Sequence, residues 1–200
     1  MKRGEHTNRQ REVTDGSDGF VTVHGGYRNL LSFQRAEMVY DATVRFCERF
    51  MDPRDRTVGQ MIQAARSGKQ NIVEGSQVSG TSKEAEIKLT NVARASLEEL
   101  LTDYRDFLRG HGAEEWPRDH PEARRLSSML REPGADYATM RAALEHPDPV
   151  ACANAIAGVI KVTTYLLDRQ IARLEREFVE GGGLRERMAN ARRRAREKGT

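Results

Sequence analysis

Histidines, cysteines and paired carboxylates are the side chains best suited to catalysis or metal binding, and their spacing in this chain builds neither. The five histidines are His6, His24, His111, His120 and His146; none stands at ligand spacing from another histidine or a cysteine, and four adjoin a glycine or proline. Such loop histidines are ordinarily solvated. Cys47 and Cys152 each fall within an apolar helical pattern, which predicts buried, reduced thiols in place of a disulfide or metal clip. Glu98 with Glu99 and Glu114 with Glu115 are adjacent and project in different directions from a helix, so neither pair makes an acid–base couple. No Glu-x-x-His occurs, which removes the two-metal site that helical bundles can build. Gly181-Gly182-Gly183 follows a helical pattern instead of opening a helix after a strand, and reads as a break in the chain rather than a phosphate loop. The expectation is a protein with no catalytic residues, no cofactor and no metal.

Phosphate binding is the chemistry that remains. Residues 184–200 carry Arg185, Arg187, Arg192, Arg193, Arg194, Arg196 and Lys198 against only Glu186 and Glu197, seven basic to two acidic groups, or +5. The whole chain of 200 residues has 33 Lys+Arg and 30 Asp+Glu, so residues 1–183 hold 26 basic and 28 acidic groups, or -2. The mildly basic pI near 9.0 is therefore delivered by the C-terminus. Leu184, Met188 and Ala191 would give a helix there a weak apolar edge. Arg66 and Lys69, three apart and off the apolar stripe of their helix, form a second candidate patch.

The elements that position these groups read as helices. Phe33, Ala36, Tyr40, Thr43, Cys47 and Phe50 recur at three and four and define a first stripe, which Pro53 ends. A second helix from about Arg56 has the stripe Val58, Met61, Ala65, Gly68 and Ile72, with Gly75 as its stop. Thr81-Ser82-Lys83-Glu84 resembles a capping box with Thr81 as cap, opening a third helix whose stripe runs Leu89, Ala93, Leu97, Leu100, Tyr104 and Phe107. Asp148 and Pro149 open the fourth, which carries Ala153, Ile156, Ile160, Thr163, Leu167, Ile171, Leu174 and Phe178. Between the third and fourth, His120-Pro121 and Asp136 start two short helices. This predicts an all-α fold: an up-and-down antiparallel four-helix bundle over 26–180, a helical insert over 111–147, a flexible arm over 1–25, and a Gly-break with a basic tail over 181–200. Second apolar lines such as Val39 with Phe46, Ile87 with Leu101 and Leu108, and Val159 with Leu166 fit either a wide core or a subunit interface. No run approaches the roughly 18 apolar residues of a spanning helix, and the N-terminus lacks the apolar stretch of a secretion signal, so no membrane association and a cytoplasmic location are expected.

The run Ala64-Ala65-Arg66-Ser67-Gly68-Lys69-Gln70-Asn71-Ile72-Val73-Glu74-Gly75 resembles the signature of the bacterial four-helix-bundle protein family, in which an Ala-rich helix ends in Asn-Ile-x-Glu-Gly. That family includes proteins encoded within intervening sequences of bacterial large-subunit ribosomal RNA and the accessory variability proteins of diversity-generating retroelements. Gly26-Tyr27-Arg28, Phe33-Gln34-Arg35-Ala36, Asn91-Val92-Ala93, Leu100-Leu101 and Asp103-Tyr104 extend the likeness to the longer variant with a C-terminal suffix region. The resemblance spans about residues 20–180. Ile62 and Gln63 stand where relatives often carry a basic pair. It implies a homo-oligomer, a pentameric ring in better-understood relatives, that engages nucleic acid and in the retroelement case a reverse transcriptase. Asn71, Glu74 and Gly75 match its motif and have the residue types of a structural helix end.

Two functions of different class follow. The first is a non-enzymatic, oligomeric accessory protein that binds RNA or DNA through the tail residues, Arg66 and Lys69. The alternative is a protein-interaction scaffold that recruits an enzyme without touching nucleic acid.

Overall fold

The breaks between elements follow from a few side chains and one proline. A computed structural model describes residues 25–132 and 134–198; the arm expected over 1–25 lies outside them except for Gly25. A short 3-10 turn, Tyr27–Asn29, leads into α1 (Leu31–Phe50), which ends before Pro53 as expected. The carboxylate of Asp55 accepts a hydrogen bond from Thr57 N at 2.8 Å and caps α2 (Arg56–Val78).

α2 does not stop at Gly75. It continues for three more residues because Gly75 lacks the positive φ of a terminating glycine. Its missing side chain serves packing instead, since a Cβ there would lie 3.5 Å from both Glu86 O and Leu89 Cβ. The capping expectation also shifts by one residue. The Thr81 hydroxyl donates back to Val78 O at 3.2 Å and helps close α2, while Ser82 accepts from Ala85 N at 3.1 Å and caps α3 (Lys83–Gly110). At 28 residues, α3 is about 42 Å long. Gly112, at φ +64°, turns the chain away.

The insert forms both expected helices. His120 caps α4 (Pro121–Met129) with Pro121 at its first position, and Asp136 caps α5 (Tyr137–Leu144) through a reciprocal pair of bonds with Thr139. Asp148 then caps α6 (Pro149–Gly181). Gly182, at φ +66°, separates α6 from α7 (Leu184–Lys198).

The described residues are all α, with no strand among them. Of the four long helices, α1 and α3 each pack against both α2 and α6. Their stripes converge on one core in which Phe46, Leu97, Leu100, Tyr104, Ile156, Ile160 and Leu167 are fully buried. Phe46 sits edge-on to Tyr104 and Phe107, and the Tyr104 hydroxyl donates to Thr43 Oγ1 at 3.1 Å, which satisfies the core's buried phenol. Small residues on α2 bring α3 close: Leu97 occupies the space of the absent Gly68 side chain, where a Cβ would lie 2.7 Å from its Cγ.

α4 and α5 lie on α6, and α5 also touches α1. They bury Leu126, Leu130, Met140 and Leu144 in the common core. Val39, Phe46, Leu101, Leu108 and Val159, which the sequence left open between core and interface, are buried within the chain; Ile87 and Leu166 are half-buried. Two polar side chains hold the insert down. Buried Arg35 of α1 donates to Leu130 O at 3.0 Å and Ala135 O at 2.5 Å, placing a cation on the carbonyl end of α4. Buried Asn154 of α6 accepts from Trp116 N at 2.7 Å and donates to Glu114 O at 3.3 Å, as a sheet neighbour would.

One stretch within Pro149–Glu197 is long and apolar enough to cross a membrane by length and composition, with a mean hydropathy of 1.6 over its best window. Of that window 61% is buried inside the protein, as the central helix of a packed core requires.

Candidate nucleic-acid interface

A phosphate-binding surface needs cations whose charge is not already committed to the chain's own carboxylates or rings. α7 gathers exposed arginines in one element. Arg185, Arg192, Arg193, Arg194 and Arg196 are exposed along it, and its first turn is closed by Glu186, whose carboxylate accepts from Gly183 N at 2.6 Å. That carboxylate sits at the positive end of the helix and favours it. Arg193 also donates to Asn190 Oδ1 at 2.5 Å, one turn away. The backbone of Lys198 forms the last residue of the helix.

Arg187 differs from its neighbours. Its Nε and Nη2 are shielded from solvent without a hydrogen-bond partner, on the side of α7 where Leu184 and Met188 are half-buried. The expected apolar edge thus holds at Leu184 and Met188, includes Arg187, and ends before Ala191, which is exposed.

The two cations of α2 have different surroundings. Arg66 is exposed. Lys69 is half-buried, with its ammonium 4.2 Å from the centroid of the Tyr40 ring on α1. Burial raises the pKa of Asp41, also on α1, and the charge of Lys69 opposes that rise.

Asn71 and Gly75, two of the motif residues on α2, make contacts that hold the helices together. Asn71 Nδ2 donates to Ser67 O at 2.9 Å and Ser67 Oγ at 3.1 Å, and Ser67 Oγ lies 2.9 Å from Ser96 Oγ on α3. Asn71 therefore braces a hydroxyl bridge between the two helices. Gly75 packs against α3 as described, and Glu74 is exposed.

No family model, curated protein or solved structure matches the chain.

No cluster of three His, Cys, Asp or Glu side chains suited to a metal occurs among the described residues. Both thiols are buried, and desolvation pushes Cys47 up to about 11 and Cys152 up to about 12, so neither is a nucleophile near neutral pH. Glu115, half of a pair the sequence set aside, anchors a cross-element ion network beside the insert. It accepts from Arg105 of α3 at 2.6 Å and from Lys161 of α6. Burial alone would raise its pKa, but the bonds from Lys161 and Arg105 outweigh that and hold it below the usual range.

Sequence reasoning passed over a concavity of about 980 Å³ between α4 and α6, lined by Trp116, Arg118, Arg124, Arg131, Lys161 and Tyr165 among others. Those residues span 50 positions, from 116 to 165, and no periodic pattern joins them. Only the docking of α4 on α6 brings them onto one surface, as Leu126 settles over Gly158, where a Cβ would lie within 2.4 Å of its Cδ2.

Proposed function

We propose that this chain is a non-enzymatic accessory protein that binds RNA or DNA as a homo-oligomer in the cytoplasm, assisting a reverse transcriptase or another nucleic-acid enzyme. In this reading α1, α2, α3 and α6 form an up-and-down antiparallel four-helix bundle with α4 and α5 as an insert. Contacts between opposite helix ends support that geometry: Lys83 at the start of α3 reaches Glu177 near the end of α6 at 3.2 Å, and Ser32 at the start of α1 reaches Gln170 at 2.8 Å. The pentameric ring is the assembly the family resemblance implies.

The observation that carries the function is α7, a 15-residue helix with arginines exposed along it, joined through Gly182 to a body of net charge -2. A chain that kept positive charge merely for solubility would have no reason to gather it on one terminal helix. The test is fluorescence anisotropy of a labelled single-stranded RNA across a salt series, with light scattering on the free protein. Arg192→Gln, Arg193→Gln and Arg194→Gln together should lower affinity and reduce the slope of log K against log salt by about 2. Affinity and slope equal to the unaltered chain's would remove α7 from the interface, and a monomer in scattering would remove the oligomer.

A further inference from the structure

We infer that the groove between α4 and α6 binds single-stranded nucleic acid, with arginines along its rim taking the backbone and aromatic rings taking the bases. The inference rests on the nucleic-acid reading above but places a second contact surface on the body of the protein, in a region whose overall charge gave no hint of one.

Charge complementarity selects the occupant. Arg118, Arg124 and Arg131 line the groove and are exposed, while the only acidic side chain in the lining, Glu115, is already held by Arg105 and Lys161. The surface therefore presents three guanidinium groups with no carboxylate of its own to answer them. Guanidinium matches phosphate in a bidentate fork, as it does carboxylate. Two aromatic residues distinguish a nucleic acid from a simple anion. Tyr165 on α6 is 58% exposed, far more than an aromatic ring held for packing, and Arg169 donates to its hydroxyl at 3.3 Å one turn away. Trp116 forms a parallel stack with His120, centroids 4.8 Å apart and planes within 5°, while its backbone N–H is fixed to Asn154. An exposed ring and a braced indole beside a row of cations are the components of a strand-binding surface, in which bases stack irrespective of sequence. A duplex keeps its bases inside and cannot use them.

Trp116 is the chain's single tryptophan, so the protein's tryptophan emission comes from one ring that lines the groove. The probe is a fluorescein-labelled 12-nucleotide uridine oligomer, read by anisotropy in parallel with quenching of Trp116 by the same oligomer without label. The full-length protein should bind, and binding should quench Trp116; the α7 variant Arg192→Gln, Arg193→Gln, Arg194→Gln should still show the quench. Tyr165→Ala, at an exposed position where folding is not at stake, should weaken binding at least fivefold, since one base stack is worth a factor of about that size or more. Arg124→Gln with Arg131→Gln should weaken it and lower the salt slope by about 1.4. A duplex of equal length should leave Trp116 unquenched; quenching by duplex equal to that by single strand would overturn the assignment. If the full chain binds the oligomer while Trp116 emission and the affinity of Tyr165→Ala stay unchanged, the groove assignment fails and the α7 reading stands. If the full chain does not bind at all, the nucleic-acid function itself fails.

Discussion

Three glycines on helix surfaces show how one residue type carries three different energetic roles. At Gly68 an added Cβ meets Leu97 at both Cγ and Cδ2, 2.7 Å away, so the whole buried isobutyl group must move. Gly68→Ala should destabilise by about 1–3 kcal/mol in urea unfolding, because overpacking outweighs the helix-propensity gain. At Gly158 the conflict is with Leu126 Cδ2 alone, Cγ being 3.9 Å away, and a rotation of one methyl relieves much of it. Gly158→Ala should cost less than Gly68→Ala in the same assay. At Gly75 every contact is an ordinary 3.5 Å or more, so Gly75→Ala should be neutral or stabilising by up to about 1 kcal/mol. A fall in stability at Gly75 like that at Gly68 would show that the motif glycine needs more than space. The thiols give a pH prediction of definite sign. Cys47 and Cys152 ionise in the unfolded chain near their ordinary range but in the folded protein only at about 11 and about 12, so their stabilising contribution is complete below about pH 8.5 and declines as pH rises above it. Urea midpoints should fall between pH 8.5 and 11, and a thiol reagent at pH 8 should label neither cysteine until denaturant is added. Rapid labelling in native buffer would contradict the burial.

At the scale of elements, the helices were legible and their joints less so. The four stripes, the proline break after α1, the Asp148–Pro149 start and both insert helices are all local: each depends on spacing or on a cap within four residues. The errors are local contests settled by tertiary partners. Gly75 has the composition of a helix stop, yet α3 lies against it and α2 runs on to Val78. Thr81 and Ser82 both can cap, and Ser82 does so because Thr81 is occupied at Val78 O. Arg35 is the joint that no pattern announces, being a cation on the buried face of α1. Among the described residues its hydrogen-bond acceptors are two carbonyls, Leu130 O at the end of α4 and Ala135 O before α5, and burial lowers its pKa. Arg35→Ala leaves both carbonyls buried without that donor and should cost about 2–4 kcal/mol. Hydrogen exchange should quicken first across 121–144 while α2 and α3 keep their protection. Uniform loss of protection across all helices would mean that the insert and the long helices unfold as one unit.

For the whole molecule, the charge division makes a prediction that contacts alone do not. Ending the chain after Gly183 changes its formal net charge from +3 to -2 while removing none of the buried core. The shortened protein should unfold within about 1 kcal/mol of the full chain, as loss of an exposed helix implies, and should bind RNA more weakly with a shallower salt dependence. Unfolding several kcal/mol easier would show that Leu184, Arg187 and Met188 dock as a structural element. What the sequence determined by itself is whatever depends on short-range order: the helices, their caps, the all-α class, and the accumulation of arginine after residue 184. Periodicity and capping act over a few residues, so one dimension suffices to read them. The tertiary structure alone decided what depends on contacts between distant residues. It buried Val39, Phe46, Leu101, Leu108 and Val159 of the second apolar lines within the chain, turned Lys69 onto Tyr40 and shielded part of Arg187. It also gathered Trp116, three arginines and Tyr165 into one groove, which arises from two helices meeting and leaves no period in the chain that forms it.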